Sequence, residues 1–209
     1  MKDRKKIRFL IVSGPTREPI DPVRYLSNYS TGLMGKFLAE TARKKGHRCV
    51  WVRCPEDAET ARGLEVLLKK RVTDCDVLIM AAAVCDVRPA TVSKIKTKKR
   101  ALKTLRLVKN PDILASLARK KKPGQIFVGF ALESQNLLRN AAEKMRRKHL
   151  EMILAQRVTP AERPFGDTEV RAVLLRKDGT RRPFGKAGKR KIAEKLIQEA
   201  ENVFLAKNF

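Results

Sequence analysis

Residues 13–35, SGPTREPIDPVRYLSNYSTGLMG, lie between a short apolar run and a stretch with helical spacing, and that placement sets the fold. Residues 7–12 (IRFLIV) have the length and composition of a strand. Residues 33–45 carry apolar side chains at helical intervals. The order strand, long loop, helix puts the loop at the carboxyl end of a strand, where open α/β sheets bind ligands. The helix start offers unpaired backbone N–H groups to a phosphate or carboxylate. An anionic ligand follows from this order. The loop lacks GxGxxG spacing and no ribose-binding acid is matched to it, which disfavours a nicotinamide-dependent Rossmann enzyme.

The alternation continues along the chain. Residues 48–53 (RCVWVR), 76–83 (DVLIMAAA), 126–132 (IFVGFAL) and 151–155 (EMILA) read as strands, and 58–70, 111–120 and 135–148 as helices, with Asn110 as cap and Pro111 at the first position of the middle one. Residues 89–107 are lysine-rich with little periodicity and read as an extended loop that orders on ligand binding. Strands at 170–175 and 181–184 flank KDGT, whose Asp178-Gly179 pair signals a hairpin. The helix at 189–205 presents Ile192, Leu196, Ile197, Ala200, Val203 and Phe204 on one face. The pattern predicts an α/β, three-layer, Rossmann-like doubly wound fold with a mostly parallel sheet and a late antiparallel hairpin.

Residues 1–209 suit one domain with one sizeable core. Hydrophobic content of 43% with 33% charged residues fits a globular protein in water, and no apolar run reaches bilayer length. The opening MKDRKKIRFLIVSG has too short an apolar part and no small-residue cleavage site, so it reads as a first strand rather than a signal peptide. Cys49, Cys54, Cys75 and Cys85 form no CxxC pair, and His47 and His149 complete no ligand set, so no resident metal is expected. The thiols read as reduced, semi-buried apolar residues of a cytoplasmic protein, with Cys85 set beside Asp86. Lysine and arginine total 48 against 22 acidic residues, a formal charge of +26 that attracts polyanions, nucleic acid included. The excess is spread in clusters, 94–100, 119–122, 146–148, 181–182 and 186–191, most of which read as solvated faces.

Residues 13–35 closely resemble the opening motif of the phosphopantothenoylcysteine synthetase family, the phosphopantothenate-cysteine ligases also found as the C-terminal domain of the bifunctional DNA/pantothenate metabolism flavoprotein. Further blocks follow in the family's order: AAAVCDVRPATVSKIK (81–96), VKNPDIL (108–114), GFALES (129–134), then Lys144 and Lys148. The resemblance implies a ligase of coenzyme A biosynthesis that uses CTP, or ATP, with Mg2+. It would activate 4'-phosphopantothenate as an acyl-nucleotidylate, release pyrophosphate and pass the acyl group to the amine of cysteine. CTP is favoured, no flavin is implied, and a homodimer is expected. Such chemistry needs cations on the triphosphate and donors on the acyl group, and no enzyme nucleophile.

By resemblance, Asn28 and Arg24 hold the acid's carboxylate and its activated form. Their plain alternatives are a turn asparagine accepting a loop N–H and an ion pair of Arg24 with Asp21. Ser30, Thr31, Gly32 and Gly35 open the helix with a capping hydroxyl and a close backbone. Asp86, with Ala81 and Ala82 beside it, matches the aspartate near the nucleotide. Pro111, Asp112, Ile113 and Leu114 match its contacting segment, and Phe130 the aromatic beside it. Lys94 opens the mobile basic element and is expected to close on the triphosphate, so that Lys94→Gln nearly abolishes turnover. Lys144 and Lys148 match two lysines on the phosphates, with Arg146 and Arg147 pointing elsewhere. The chain departs from the family at Leu33, Gln135, Gln156 and Arg157, and residues 53–76 are short for the strand and helix expected there. These departures leave a second reading open, a catalytically altered paralogue that binds nucleotide or nucleic acid.

Overall fold

The computed structural model describes residues 5–209, so the basic opening at 1–4 lies outside the described residues. The chain runs β1 (Arg8–Ser13), β2 (Arg17–Asp21), β3 (Arg24–Ser27), α1 (Leu33–Lys44), β4 (Arg48–Arg53), α2 (Ala61–Arg71), β5 (Val77–Met80), β6 (Val87–Pro89) and β7 (Leu107–Lys109). It continues through α3 (Ile113–Ala118), β8 (Ile126–Glu133), α4 (Leu137–Arg147), β9 (Met152–Arg157), β10 (Glu169–Arg176), β11 (Arg181–Gly188) and α5 (Lys189–Asn208).

The main sheet has seven strands in the order β11-β10-β9-β8-β5-β1-β4. From β4 to β9 neighbours are parallel, and β10 and β11 are antiparallel. Alternate residues of each strand feed opposite layers, as the two-residue side-chain period requires. Leu10, Val12, Leu78 and Phe127 pack under α2, α3 and α4. Phe9, Ile11, Val77, Ile79, Ile126 and Val128 pack under α1 and α5. Each such fully buried aliphatic or aromatic side chain contributes about 1.5–3 kcal/mol. The fold is therefore the doubly wound α/β architecture that the alternating sequence predicts. No helix of the described residues is long and apolar enough to cross a membrane.

Three local expectations are corrected. Within the loop at 13–35, β2 and β3 form a small antiparallel hairpin, and the lysine-rich segment is bounded by a second one of β6 and β7. Helix α3 starts at Ile113 with Asp112 as its cap, accepting from Ala115 N at 3.2 Å. Asn110 is drawn away, donating to the Cys85 carbonyl at 2.9 Å and accepting from Arg88 at 3.1 Å. In line with the shortness of residues 53–76, only α2 and a short 3-10 turn lie between β4 and β5, and β4 is the sheet edge.

Candidate functional site

Strand β1 lies between β4 and β5; the connection from β1 to β4 runs through α1 on one face and the return from β4 to β5 through α2 on the other, which opens a crevice beyond the carboxyl ends of β1, β5 and β8. Gly35 sets its depth. A Cβ there would lie 2.1 Å from Ser13 Cβ, so only glycine lets the first turn of α1 rest on the end of β1. The helix cap is Gly32, at φ 73, and no side chain caps it. Ser30 Oγ instead accepts from Gly32 N at 3.3 Å, which corrects its expected part as the helix cap. The first-turn N–H groups of α1 consequently open toward the crevice without a side-chain acceptor.

Two cavities occupy this crevice and share a wall. One, about 420 Å³, is lined by Asn28, Ser30, Thr31, Gly32, Ala81, Ala82, Asp86, Phe130 and Lys144. The other, about 490 Å³, is lined by Ala82, Asp86, Pro111, Asp112, Ile113, Leu114, Phe130, Lys144 and Lys148. Asp86, Phe130 and Lys144 border both. Among the described residues Asn28 accepts no loop N–H. Its amide donates to the Ala83 carbonyl at 3.0 Å and approaches Cys85 Sγ at 3.6 Å. Burial raises the Cys85 thiol pKa, so that sulfur is a neutral neighbour rather than a thiolate.

Lys144 forms no ion pair among the described residues. Burial, then the neighbouring Lys148 charge, lowers its pKa, as expected for an ammonium lacking its counterion. Lys148 pairs with Asp112 at 2.8 Å. Burial pushes the Asp112 carboxyl up, but the Lys148 hydrogen bond and the Ala115 N–H outweigh it and hold Asp112 below the ordinary carboxylate range.

Arg24 and Lys94 stand outside both cavities. Arg24 binds Asp21 at 2.6 Å and the Thr97 carbonyl at 2.6 Å, while Asp21 also accepts from Val23 N and Thr97 N. Burial pushes the Asp21 carboxyl up, but Arg24 and the two N–H groups hold it far below its usual range. This clamp, with Ser93 N donating to the Ile20 carbonyl at 3.0 Å, ties the basic segment to the β2–β3 hairpin. Lys94 is exposed on that segment.

Several lining residues escaped the sequence reading. Arg147 lines the cavity of about 490 Å³ with Lys144 and Lys148 instead of pointing away. Phe165 and Lys189 line the other cavity, as does Gln156, which the sequence marks only as a departure from the family. Tyr29 stacks on Phe165 at 5.6 Å, joining the first loop to the loop between β9 and β10. A hollow of about 1050 Å³ between α1, β11 and α5 contains none of the motif residues, and there Glu40 and Glu199 pair with Arg190 and Arg182.

No three His, Cys, Asp or Glu side chains gather into a metal cage among the described residues. Asp86, whose carboxylate makes no hydrogen bond or ion pair there, borders both cavities. One open carboxylate beside Lys144 fits the donor set of magnesium, which is commonly held by one or two carboxylates together with substrate phosphates and water.

Residues 4–204 match the family described as the DNA/pantothenate metabolism flavoprotein C-terminal domain. The coenzyme A biosynthesis bifunctional protein CoaBC of Escherichia coli strain K12 is 37% identical over 194 residues, covering 86% of this chain and 48% of that protein. Its counterpart in Bacillus subtilis strain 168 is 37% identical over 204 residues, covering 91% of this chain and 50% of that protein. The chain thus spans about half the length of these relatives. The crystal structure of the C-terminal domain of a coenzyme A biosynthesis bifunctional protein CoaBC superposes with a TM-score of 0.79 at 29% identity, covering 96% of each chain.

Proposed function

This chain belongs to the family of DNA/pantothenate metabolism flavoprotein C-terminal domains, and from that membership we propose that it is a phosphopantothenate-cysteine ligase of coenzyme A biosynthesis. The observation that carries this reading is the shared wall of the two cavities, where Asp86, Phe130 and Lys144 border both. Two ligands seated side by side meet there. The nucleotide takes the side with Pro111, Asp112, Ile113, Leu114 and Lys148, and the acid lies toward Asn28.

In the proposed reaction a carboxylate oxygen of 4'-phosphopantothenate attacks the α-phosphorus of CTP. The bond from that phosphorus to its bridging oxygen breaks and pyrophosphate leaves. The amine of cysteine then attacks the acyl carbon, cytidine monophosphate departs, and a proton passes to solvent. Lys144 and Lys148 offset the phosphate charge, and Asn28 donates to the acyl oxygen by giving up its Cys85 contact. Lys94 joins when its segment closes, and Arg24 reaches the acid by exchanging Asp21 for it. Magnesium arriving with the nucleotide supplies further charge neutralisation, and Asp86 is the residue that would hold it. We assign the chain to the cytoplasm, as a single domain and a homodimer, without flavin.

The test is a coupled pyrophosphate assay with CTP or ATP, with and without cysteine. CTP-dependent release that needs 4'-phosphopantothenate supports the ligase, with Asn28→Asp slowing the second half-reaction. No turnover with either nucleotide rejects it. The exposed basic segment around Lys94 favours the second reading, binding of polynucleotide. Strong salt-dependent binding that survives Lys94→Gln, without turnover, would support that reading.

A further inference from the structure

The corner of the crevice where α1 and α5 begin contains a cation outside every motif block. Lys189, the first residue of α5, is 5% exposed and lines the cavity shared by Asn28, Gly32 and Lys144. An ammonium has three N–H donors. Among the described residues Lys189 Nζ donates to one acceptor, the Gly166 carbonyl. Asp167 acts on it through space and forms no ion pair with it among the described residues. Burying an ammonium without a carboxylate partner is unfavourable unless an anion joins it.

Two further observations point the same way. Helix α5 begins Lys189, Arg190, Lys191, with no acidic residue in its first turn and no side-chain cap, although the positive end of a helix favours negative charge. Such a local rule broken in a crevice marks a place built for something else. Gln156 Nε2 is buried in the same cavity with no acceptor. An ammonium, an amide and the uncapped amides of α1 thus border one space with Asp86, and among the described residues none of these donors is hydrogen-bonded to or paired with a carboxylate. Donors coming from three elements suit a tetrahedral oxyanion better than a planar carboxylate.

We propose that Lys189 and Gln156 form a phosphoryl-binding subsite at the α1 end of the crevice. This deepens the ligase reading and rests on it for the identity of the ligand. Two groups share the chemistry: a phosphate of the nucleoside triphosphate and the phosphate monoester of the acid.

Calorimetric binding separates them and requires no turnover, so an inactive protein that still binds would sink the ligase reading alone. The probes are inorganic pyrophosphate, CTP, 4'-phosphopantothenate and pantothenate. The proteins are the wild type, Lys189→Gln and Lys189→Arg, each checked for an unchanged melting curve. Losing a charge-assisted hydrogen bond weakens binding about tenfold or more in Lys189→Gln, and Lys189→Arg retains most of the affinity. Loss confined to CTP and pyrophosphate assigns the subsite to the triphosphate. Loss confined to 4'-phosphopantothenate, with pantothenate unaffected, assigns it to the acid's phosphate. Unchanged affinity for every probe in folded Lys189→Gln, or no binding of any probe by the wild type, overturns the proposal. If Lys189→Gln does not fold, Gln156→Leu leaves α5 untouched and is read by the same outcomes.

Discussion

Two lysine clusters that look alike in the sequence, KIKTKK at 94–99 and KMRRK at 144–148, occupy opposite physical settings. The second is carried on α4, with Lys144 half-buried at the wall between two cavities and Lys148 held by Asp112. The first lies on an exposed segment outside both cavities, anchored at Thr97 by the Asp21–Arg24 clamp. Cations fixed on a helix are in place before a ligand arrives. A cation on a tethered segment acts only after the segment moves. The difference separates binding from turnover, and each cluster should answer to a different measurement.

The sharpest break is at Lys94. Lys94→Gln should lower kcat by about 10³ or more, as when a transition-state cation is lost, with CTP affinity within about twofold of wild type. Equal loss of affinity would place Lys94 in the ground-state site and erase the comparison. Lys144→Gln should do the reverse, weakening CTP binding on the order of 10- to 100-fold by calorimetry. Because burial and Lys148 lower the Lys144 pKa, wild-type affinity should fall as pH rises, and sooner than an ordinary lysine would dictate. A flat profile through the alkaline range would show that Lys144 does not meet phosphate.

A smaller effect concerns the Asp112–Lys148 pair. Its folded pKa is depressed, so its stabilisation is complete above the unfolded value near ~4 and is lost as pH falls through the lower folded value. The melting difference between wild type and Asp112→Asn should therefore be constant near neutrality and vanish in acid. A difference that grows in acid contradicts the assignment. Least affected should be Lys98→Gln, an exposed lysine of the tethered segment, with stability within about 0.5 kcal/mol of wild type and kcat nearly unchanged.

Much of this architecture was legible in the sequence because buried parallel strands are short apolar runs, as in β1, β5, β8 and β9, and the edge strand β4 still carries the apolar run CVWV. The late hairpin of β10 and β11 was marked by Asp178-Gly179, but the two small hairpins escaped. Strands β2 and β3 carry charges and Pro19 rather than an alternating apolar face, and β6 and β7 are three residues each. Their pairing is supported by long-range contacts such as Arg24 to Thr97, which no local pattern encodes. In the crevice, motif blocks located Asn28, Asp86, Phe130 and Lys144 at one place. Arg147 and Lys189 were hidden because a charged residue within a basic run carries no spacing signal, whereas Gln156 stood out only as a departure from the family's pattern. The start of α5 did hold one clue, three consecutive cations at a helix end that favours anions.

Exchange of labelled pyrophosphate into CTP, without cysteine, tests most directly whether the two cavities bring nucleotide and acid together at Lys144. The account predicts exchange only when 4'-phosphopantothenate is present, strongly reduced in Lys144→Gln. Exchange that proceeds without the acid, or none under any condition in a folded wild-type protein, would contradict it.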